Sequence, residues 1–352
     1  MRRVLLLYGG RSAEHAISCL SARSVVDVVD PSRYDVVTVG ITRGGRWTRT
    51  DGVAPATSDR RLPEVADDGP TVALVGTRSG PRLVEFDADD AEITSQHAVD
   101  VAFPLLHGPW GEDGTVQGLL ATVGVPYVGA DVTASSIGVD KAAMKASFTA
   151  RGLPQLAYQS VHRRRWEADE AGVRADLAAI PLPWFVKPAR QGSSIGITKV
   201  REPGELSAAM HAAFDHGVVA VVEEGLEGAR EIEVGVLGDG EVQVTRPGEI
   251  LPTHEFYDFE AKYLDTSELV IPADVDAWVV AETDRLARIA YQAIGCRGLA
   301  RVDFFLRGDE LVVNEINTIP GFTPASMFPQ LWAAEGLPYA GLVDRLLTDA
   351  RV

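Results

Sequence analysis

The chain has 352 residues, of which 46% are hydrophobic and 24% charged, and its formal net charge is −17. That length exceeds one ordinary core and implies two or three domains of a soluble globular protein. So acidic a surface disfavours nucleic acid and anionic membrane as partners, although a local group of Lys and Arg can still receive a small anion.

The two cysteines, Cys19 and Cys296, lie far apart and outside any metal-type spacing, which suits buried thiols in a reducing compartment. The opening run "RVLLLY" meets glycines too early for a secretory h-region. No apolar run approaches a membrane span. A cytoplasmic location with no membrane partner is expected.

"RVLLLYGG" followed by "RSAEHAISCLSARSVV" reads as strand, glycine turn and helix, with Ala13, Ala16, Ile17 and Leu20 on one helical face. Residues 34–42, 99–108 and 125–130 read as three more strands, with "TVQGLLATVG" a helix between the last two. Alternation of strands and helices predicts a parallel sheet in an N-terminal α/β domain, 1–129. Within it, 44–98 is rich in Gly, Pro, Asp and Thr and reads as loops with short strands.

A second region, 130–222, opens on the helical stretch "TASSIGVDKAAMKASFTARG", which stops at Gly152-Leu153-Pro154. "RRRWEADEAGVRADLAAI" reads as a charged helix whose Arg163-Arg164-Arg165 run is a solvated face. "LPWFVKPA", "ITKV" and "VVAVVEEGL" read as strands. The third region, 223–352, holds strands "REIEVGVLG" and "EVQVTRPGEI", the amphipathic helix "DAWVVAETDRLARIAYQAIG" and the hairpin "RVDFFLRGDELVVNEINTIPG". The class is α/β joined to α+β.

The hairpin carries charge inside apolar strands. By strand parity Arg301, Asp303 and Phe305 share one face, as do Val313, Glu315 and Asn317. A three-residue loop, Gly308 to Glu310, would set Asp303 opposite Glu315 and Arg301 opposite Asn317, whereas a two-residue loop would set Asp303 opposite Asn314. Two carboxylates so close repel each other. Either a hard cation such as magnesium, held with substrate phosphates, resolves this, or Arg301 neutralises the pair as a structural salt bridge. The hairpin alone supports both readings.

Elsewhere, "FVKPARQGSSIG" delivers Lys187 on a strand and then a Gly/Ser loop. Such a loop is either a plain turn or a presenter of backbone N–H groups to phosphate, and it is no P-loop. "EFYDFEAKYLD" is either a surface loop or a lid bearing Lys262 and Tyr263. Glu14 opens the first helix as a helix-dipole partner or as a contact for a substrate amine. His107, at the carboxyl end of a strand, is either a hydrogen-bonded core residue or a catalytic orienter.

Together, "YGGRSAEHAIS", "FPLLHGPWGEDGTVQGLL", "PYVGADVTASSIGVDKAAMK", "FVKPARQGSSIG", "EFYDFEAKYL", "GCRGLARVDFF" and "NEINTIPGFTPASMFPQLW" resemble the D-alanine–D-alanine ligase family of the ATP-grasp superfamily, in the family's order. The resemblance is weak only over 44–98 and 158–180. It implies an ATP-grasp fold with an N-terminal parallel α/β domain, a small central domain and a C-terminal domain holding the metal site and a lid at 255–271. It implies ATP-dependent ligation of two D-alanines for peptidoglycan precursors, and a homodimer.

The residue roles follow from the same resemblance. Asp303, Glu315 and Asn317 match the ligands of two magnesium ions, with manganese as an alternative. Lys141, Lys187, Ser194 and Lys262 match nucleotide-phosphate contacts, and Glu231 a ribose contact. Glu223 or Glu224 matches the acid at the adenosine side, since "EEGLEGAREIE" is one residue longer than the usual turn. Glu14, Ser193 and Tyr263 match the group around the first substrate's ammonium, with His107 beside it. Arg301 and the Gly321 N–H match the oxyanion-stabilising pair, and Ser326 a binder of the second carboxylate.

Tyr263 favours a peptide over a D-alanyl-D-lactate product, because depsipeptide-forming members lack that tyrosine. An inactive ATP-binding regulator would not need the full set of site residues. A nicotinamide-dependent dehydrogenase would need a G-x-G-x-x-G after the first strand, which is missing.

Overall fold

The computed structural model describes residues 1–53, 62–239, 241–251 and 268–352. The first part of the chain forms β1 (Arg2–Gly9), α1 (His15–Val26), β2 (Tyr34–Ile41), β3 (Trp47–Arg49), β4 (Val72–Thr77), β5 (Gly80–Phe86), β6 (Ile93–Ala98), β7 (Val101–Pro104) and α2 (Thr115–Val123). The expected parallel sheet is present: strand order is β3-β2-β1-β7, with β1 parallel to both β2 and β7.

Both faces of this sheet are covered, which is why its strands read as unbroken apolar runs. On one face Leu5, Leu7 and Val39 pack against Val116 and Leu120 of α2 and Leu74 of β4. On the other, Val4, Leu6 and Tyr8 meet Cys19, Ala22 and Val25 of α1. Two expectations change. The strand expected at 125–130 is a single bridge, Ala102 to Tyr127, whose other side is taken by Arg351. Helix α1 begins after Glu14, so Ala13 lies outside it and is exposed, and burial falls on Ala16, Ile17, Cys19, Ala22 and Val25. The short strands expected within 44–98 are present, and β4, β5 and β6 form an antiparallel sheet of their own.

The second part forms α3 (Val132–Val139), α4 (Lys141–Ala150), β8 (Tyr158–His162), α5 (Arg163–Ala168), α6 (Glu170–Leu177), β9 (Trp184–Pro188), β10 (Thr198–Val200), α7 (Leu206–Phe214) and β11 (Val219–Glu224). Each of the two long helices expected here is broken at an aspartate. Asp140 turns its carboxylate to the N–H groups of Ala142 and Ala143, and Asp169 to that of Gly172. Both cap a new helix by satisfying donors that its first turn leaves unpaired. The sheet is antiparallel, β10-β9-β11-β8, over a core of Trp166, Trp184, Met210 and Phe214.

The third part forms β12 (Arg230–Asp239), β13 (Glu241–Val244), β14 (Gly248–Leu251), β15 (Glu268–Val270), α8 (Ala277–Ala293), β16 (Gly298–Arg307), β17 (Glu310–Asn317), α9 (Met327–Ala334) and α10 (Tyr339–Asp349). Its sheet runs β15-β14-β12-β16-β17, with β13 also on β12. One face packs on α8 through Ile232, Val234, Val302, Phe304, Leu286 and Ala290. The final helix α10 turns back to the first sheet, where Leu342, Val343, Leu346 and Leu347 join the core around Leu6.

Candidate active site

The β16–β17 hairpin closes with a different turn from the one expected. Arg307 pairs with Glu310, so the turn is the two residues Gly308-Asp309 and not an odd-numbered loop. Gly308, at φ +57°, supplies the positive φ that the first position of a II′ turn needs. Carried on unbroken, that register would put Asp303 opposite Asn314. A β-bulge intervenes: Phe304 pairs with Val313 and Asp303 with Glu315, leaving Asn314 as the extra residue. Beyond it Arg301 faces Asn317. The expected convergence of polar residues therefore exists, and the bulge produces it.

Strand β12 extends the convergence, since Glu233 pairs with Asp303 and Gly235 with Arg301. Glu233, Asp303 and Glu315 thus form one row of carboxylates across three strands. Arg301 answers them. Its Nε and Nη2 donate to the two oxygens of Asp303 at 2.7 Å each, and Nε lies 2.9 Å from Glu233 Oε2. Asn317 Nδ2 donates to Asp303 Oδ2 at 2.9 Å. Burial disfavours the Arg301 charge, but Asp303 and Glu233 outweigh it and hold the pKa well above the ordinary value. The salt bridge is formed, yet it does not compensate the whole row.

The donor chemistry suits a hard divalent ion, because Asp303, Glu315 and Asn317 offer carboxylate and carboxamide oxygens on one face. Among the described residues no group of three or more His, Cys, Asp or Glu could hold an ion alone. Phosphate oxygens of a nucleotide would complete such a shell.

The central sheet supplies cations. Lys187 on β9 donates to Glu223 Oε2 at 2.5 Å, and Lys145 of α4 pairs with the other oxygen. Burial alone would raise the Glu223 pKa, but the two lysines reverse that and bring it to about 2. Lys141, at the start of α4, donates to Gln191 O at 2.8 Å and lies 3.9 Å from Glu315. In the Gly/Ser loop, Ser193 and Ser194 have φ of +50° and +59°. Two adjacent non-glycine residues in the left-handed region store strain, on the order of 1 kcal/mol each. Ser193 Oγ donates to Glu14 Oε1 at 2.6 Å and ties this loop to the N-terminal sheet.

Glu14 is buried at the start of α1. Gly108, at φ +76°, passes so near that a Cβ there would lie 2.8 Å from Glu14 Oε2. His107 Nδ1 bonds with Ile319 O and Nε2 with Ser21 Oγ, each at 3.2 Å. Burial lowers the His107 pKa, while Glu14 opposes this. Glu112 is pushed up to about 8 by burial and by the neighbouring Glu14 charge.

One cleft of about 1040 Å³ is bordered by residues of the first, second and third parts of the chain. Glu14, His107, Lys141, Lys187, Ser193, Ser194, Glu223, Glu224, Glu231, Arg301, Asp303, Glu315, Asn317, Gly321 and Ser326 all border it. Lys262, Tyr263 and most of the expected lid, 255–271, lie outside the described residues. Four residues that sequence reasoning passed over stand in or against the cleft: Lys145 through its pair with Glu223, together with Glu112, Phe185 and Glu233. Lys145 is one turn beyond Lys141, Glu112 lies in "GPWGEDGT" and Phe185 opens "FVKPARQGSSIG", so the signal for all three sits inside motifs that carry the resemblance.

Comparison with known proteins gives one answer along the whole chain. Residues 3–130 match the family model described as D-ala D-ala ligase N-terminus, and residues 147–348 that described as D-ala D-ala ligase C-terminus. The D-alanine–D-alanine ligase of Streptomyces coelicolor is 46% identical, over 99% of this chain and 92% of that protein. That of Mycobacterium sp. (strain JLS) is 49% identical, over 99% and 96%. Among solved structures, the VanG D-Ala:D-Ser ligase from Enterococcus faecalis superposes with a TM-score of 0.85 at 35% identity, over 99% of this chain and 98% of that one. The D-alanine–D-alanine ligase from Coxiella burnetii gives 0.84 at 31% identity, over 99% and 93%. The arrangement of α/β parts is the ATP-grasp fold of these enzymes. With similarity running through both halves and one cleft gathering residues from all three parts of the chain, the chain belongs to the D-alanine–D-alanine ligase family.

Proposed function

We propose that this protein is an ADP-forming ligase that joins two D-alanines into D-alanyl-D-alanine for peptidoglycan synthesis. Among the observations, the one that carries this reading is the shared cleft. It sets a buried acid, Glu14, bonded to the Gly/Ser loop, within reach of the phosphate-type lysines and of the Arg301 carboxylate row.

A carboxylate is a poor electrophile, and its charge repels nucleophiles. Transfer of the γ-phosphoryl group of ATP to the first D-alanine breaks the bond to ADP and forms an acyl phosphate. The amine of the second D-alanine then attacks the carbonyl carbon. A C–N bond forms, the amine loses a proton, and phosphate leaves. Both steps concentrate negative charge, so catalysis depends on cations already in place.

In this reading Glu14, steadied by Ser193, takes the first ammonium, and His107 lines its pocket. Lys141, Lys187 and Ser194 meet the phosphates, and Glu223 fixes Lys187 in place. Glu231 takes ribose and Glu224 borders the adenosine end. Arg301 and the Gly321 N–H stabilise the oxyanion, and Ser326 receives the second carboxylate. Lys262 and Tyr263 keep the phosphate and first-substrate roles that their motif implies. Magnesium, held by Asp303, Glu315 and Asn317, would offset the phosphate charge.

Among the described residues no helix is long and apolar enough to cross a membrane. The free thiols Cys19 and Cys296 suit the cytoplasm. A homodimer is the proposed assembly, to be checked by sedimentation. Similarity to a D-Ala:D-Ser ligase adds D-serine as a second acceptor to be tried. The experiment is phosphate release from ATP with magnesium and D-alanine, compared with D-alanine plus D-lactate or D-serine near neutral pH. Release with D-alanine alone is expected, and its absence would sink the assignment.

A further inference from the structure

Arg301 is committed to Asp303 in the ligand-free protein. The guanidinium forks onto both carboxylate oxygens, and Asp303 Oδ2 accepts a second bond from Asn317. Both lone pairs of Oδ2 are then in use. Asp303 cannot give that oxygen to a cation without loosening the fork, and a guanidinium and a divalent ion on one carboxylate repel each other. Once Asp303 turns to a cation, Arg301, with a side chain 19% exposed, needs another counter-charge.

Glu233 is placed to be that counter-charge. It sits directly across from Asp303 on β12, its side chain is 6% exposed, and its Oε2 lies 2.9 Å from Arg301 Nε. Gly235, the partner of Arg301 on the same strand, has no side chain to compete for the guanidinium. We infer that Glu233 is the positioning residue for Arg301: it keeps the guanidinium aimed at the reacting carbonyl when Asp303 exchanges it for a cation. The inference rests on the ligase reading above. Without Glu233, Arg301 stays on Asp303, which weakens both oxyanion stabilisation and cation binding.

A double-substitution cycle tests this. In Glu233→Gln, kcat is expected to fall about tenfold or more while KM for ATP moves less than about threefold, as for an interaction used in the transition state. Mn²⁺ affinity in the presence of ADP, read from the free-ion EPR signal, is expected to fall several-fold. Both effects should shrink at least about threefold when Arg301 is already Gln, because Glu233 acts through it. Equal factors in the two backgrounds overturn the inference, since a direct cation ligand or a plain structural role predicts that result. Should Glu233→Gln fail to fold, Glu233→Asp keeps the charge but withdraws it. A partial loss with the same dependence on Arg301 is expected, and no loss overturns the inference. Phosphate release by the unsubstituted protein decides the ligase assignment separately.

Discussion

The N-terminal and C-terminal sheets solve the burial problem in opposite ways. In the first, both faces of β1 are covered and every residue from Val4 to Tyr8 is apolar and buried. In the last, one face of β16 packs on α8 through Val302, Phe304 and Leu306, while the other carries Arg301 and Asp303 into the cleft. A strand buried twice can only be apolar. A strand buried once has a second face whose residues answer to a ligand, and alternation lets one segment serve both demands.

If the two faces of β16 are independent, substitutions on them should separate stability from activity. Leu306→Ala removes a side chain that is 5% exposed and should cost about 2–5 kcal/mol of unfolding free energy, with activity per folded molecule unchanged. Urea denaturation with parallel rate measurement checks this, and loss of rate in fully folded protein would break the comparison. Asp303→Asn on the other face should lower kcat by about 10²–10³-fold, the scale at which preorganised charge is lost. Its unfolding midpoint should move little, because Glu233 still compensates Arg301. Activity retained at unaltered magnesium dependence would end the metal assignment.

A smaller effect concerns the cleft edge that the N-terminal region supplies. The Glu112 carboxyl titrates near 8 in the fold against about 4.3 in an unfolded chain, so the fold favours its protonated form. Below about pH 4 the group is neutral in both states and costs nothing. As pH rises to 8 the ligand-free fold loses stability, because the unfolded chain releases the proton first. Glu112→Gln should flatten this decline between pH 5 and 8, as measured by thermal melting. An unchanged slope would place the pH dependence elsewhere.

The contrast also explains what could be read from the sequence. Twice-buried strands announce themselves, and β1 and β2 lie where the apolar runs are. Parity correctly put Arg301, Asp303, Glu315 and Asn317 on one face, because alternation is local. The turn was misjudged because a bulge at Asn314 is decided by the whole sheet: pairing to β12 fixes Asp303 in a row that local sequence does not contain. Glu233 stayed hidden for the same reason, as its meaning comes from a strand paired across a long stretch of chain. The break at Asp140 has a local signal, a capping aspartate, which an otherwise helical run masks. Lys145 reads as a solvated helix lysine, and only packing against β11 reveals it beneath Glu223. The 125–130 segment looked like a strand because it is apolar, but its partners are a single residue of β7 and Arg351 from the far end of the fold.

The packing of α10, just before Arg351, bears on how the protein is made. Leu342, Val343, Leu346 and Leu347 cover one face of the first sheet, and Arg2 donates to Leu347 O at 2.9 Å. During synthesis β1 leaves the ribosome early, while α10 arrives some three hundred residues later. Until then that face is covered by α1 alone and part of its apolar surface stays open, a surface that favours chaperone capture or self-association. The first sheet therefore gains its full cover only through contacts that span most of this sequence.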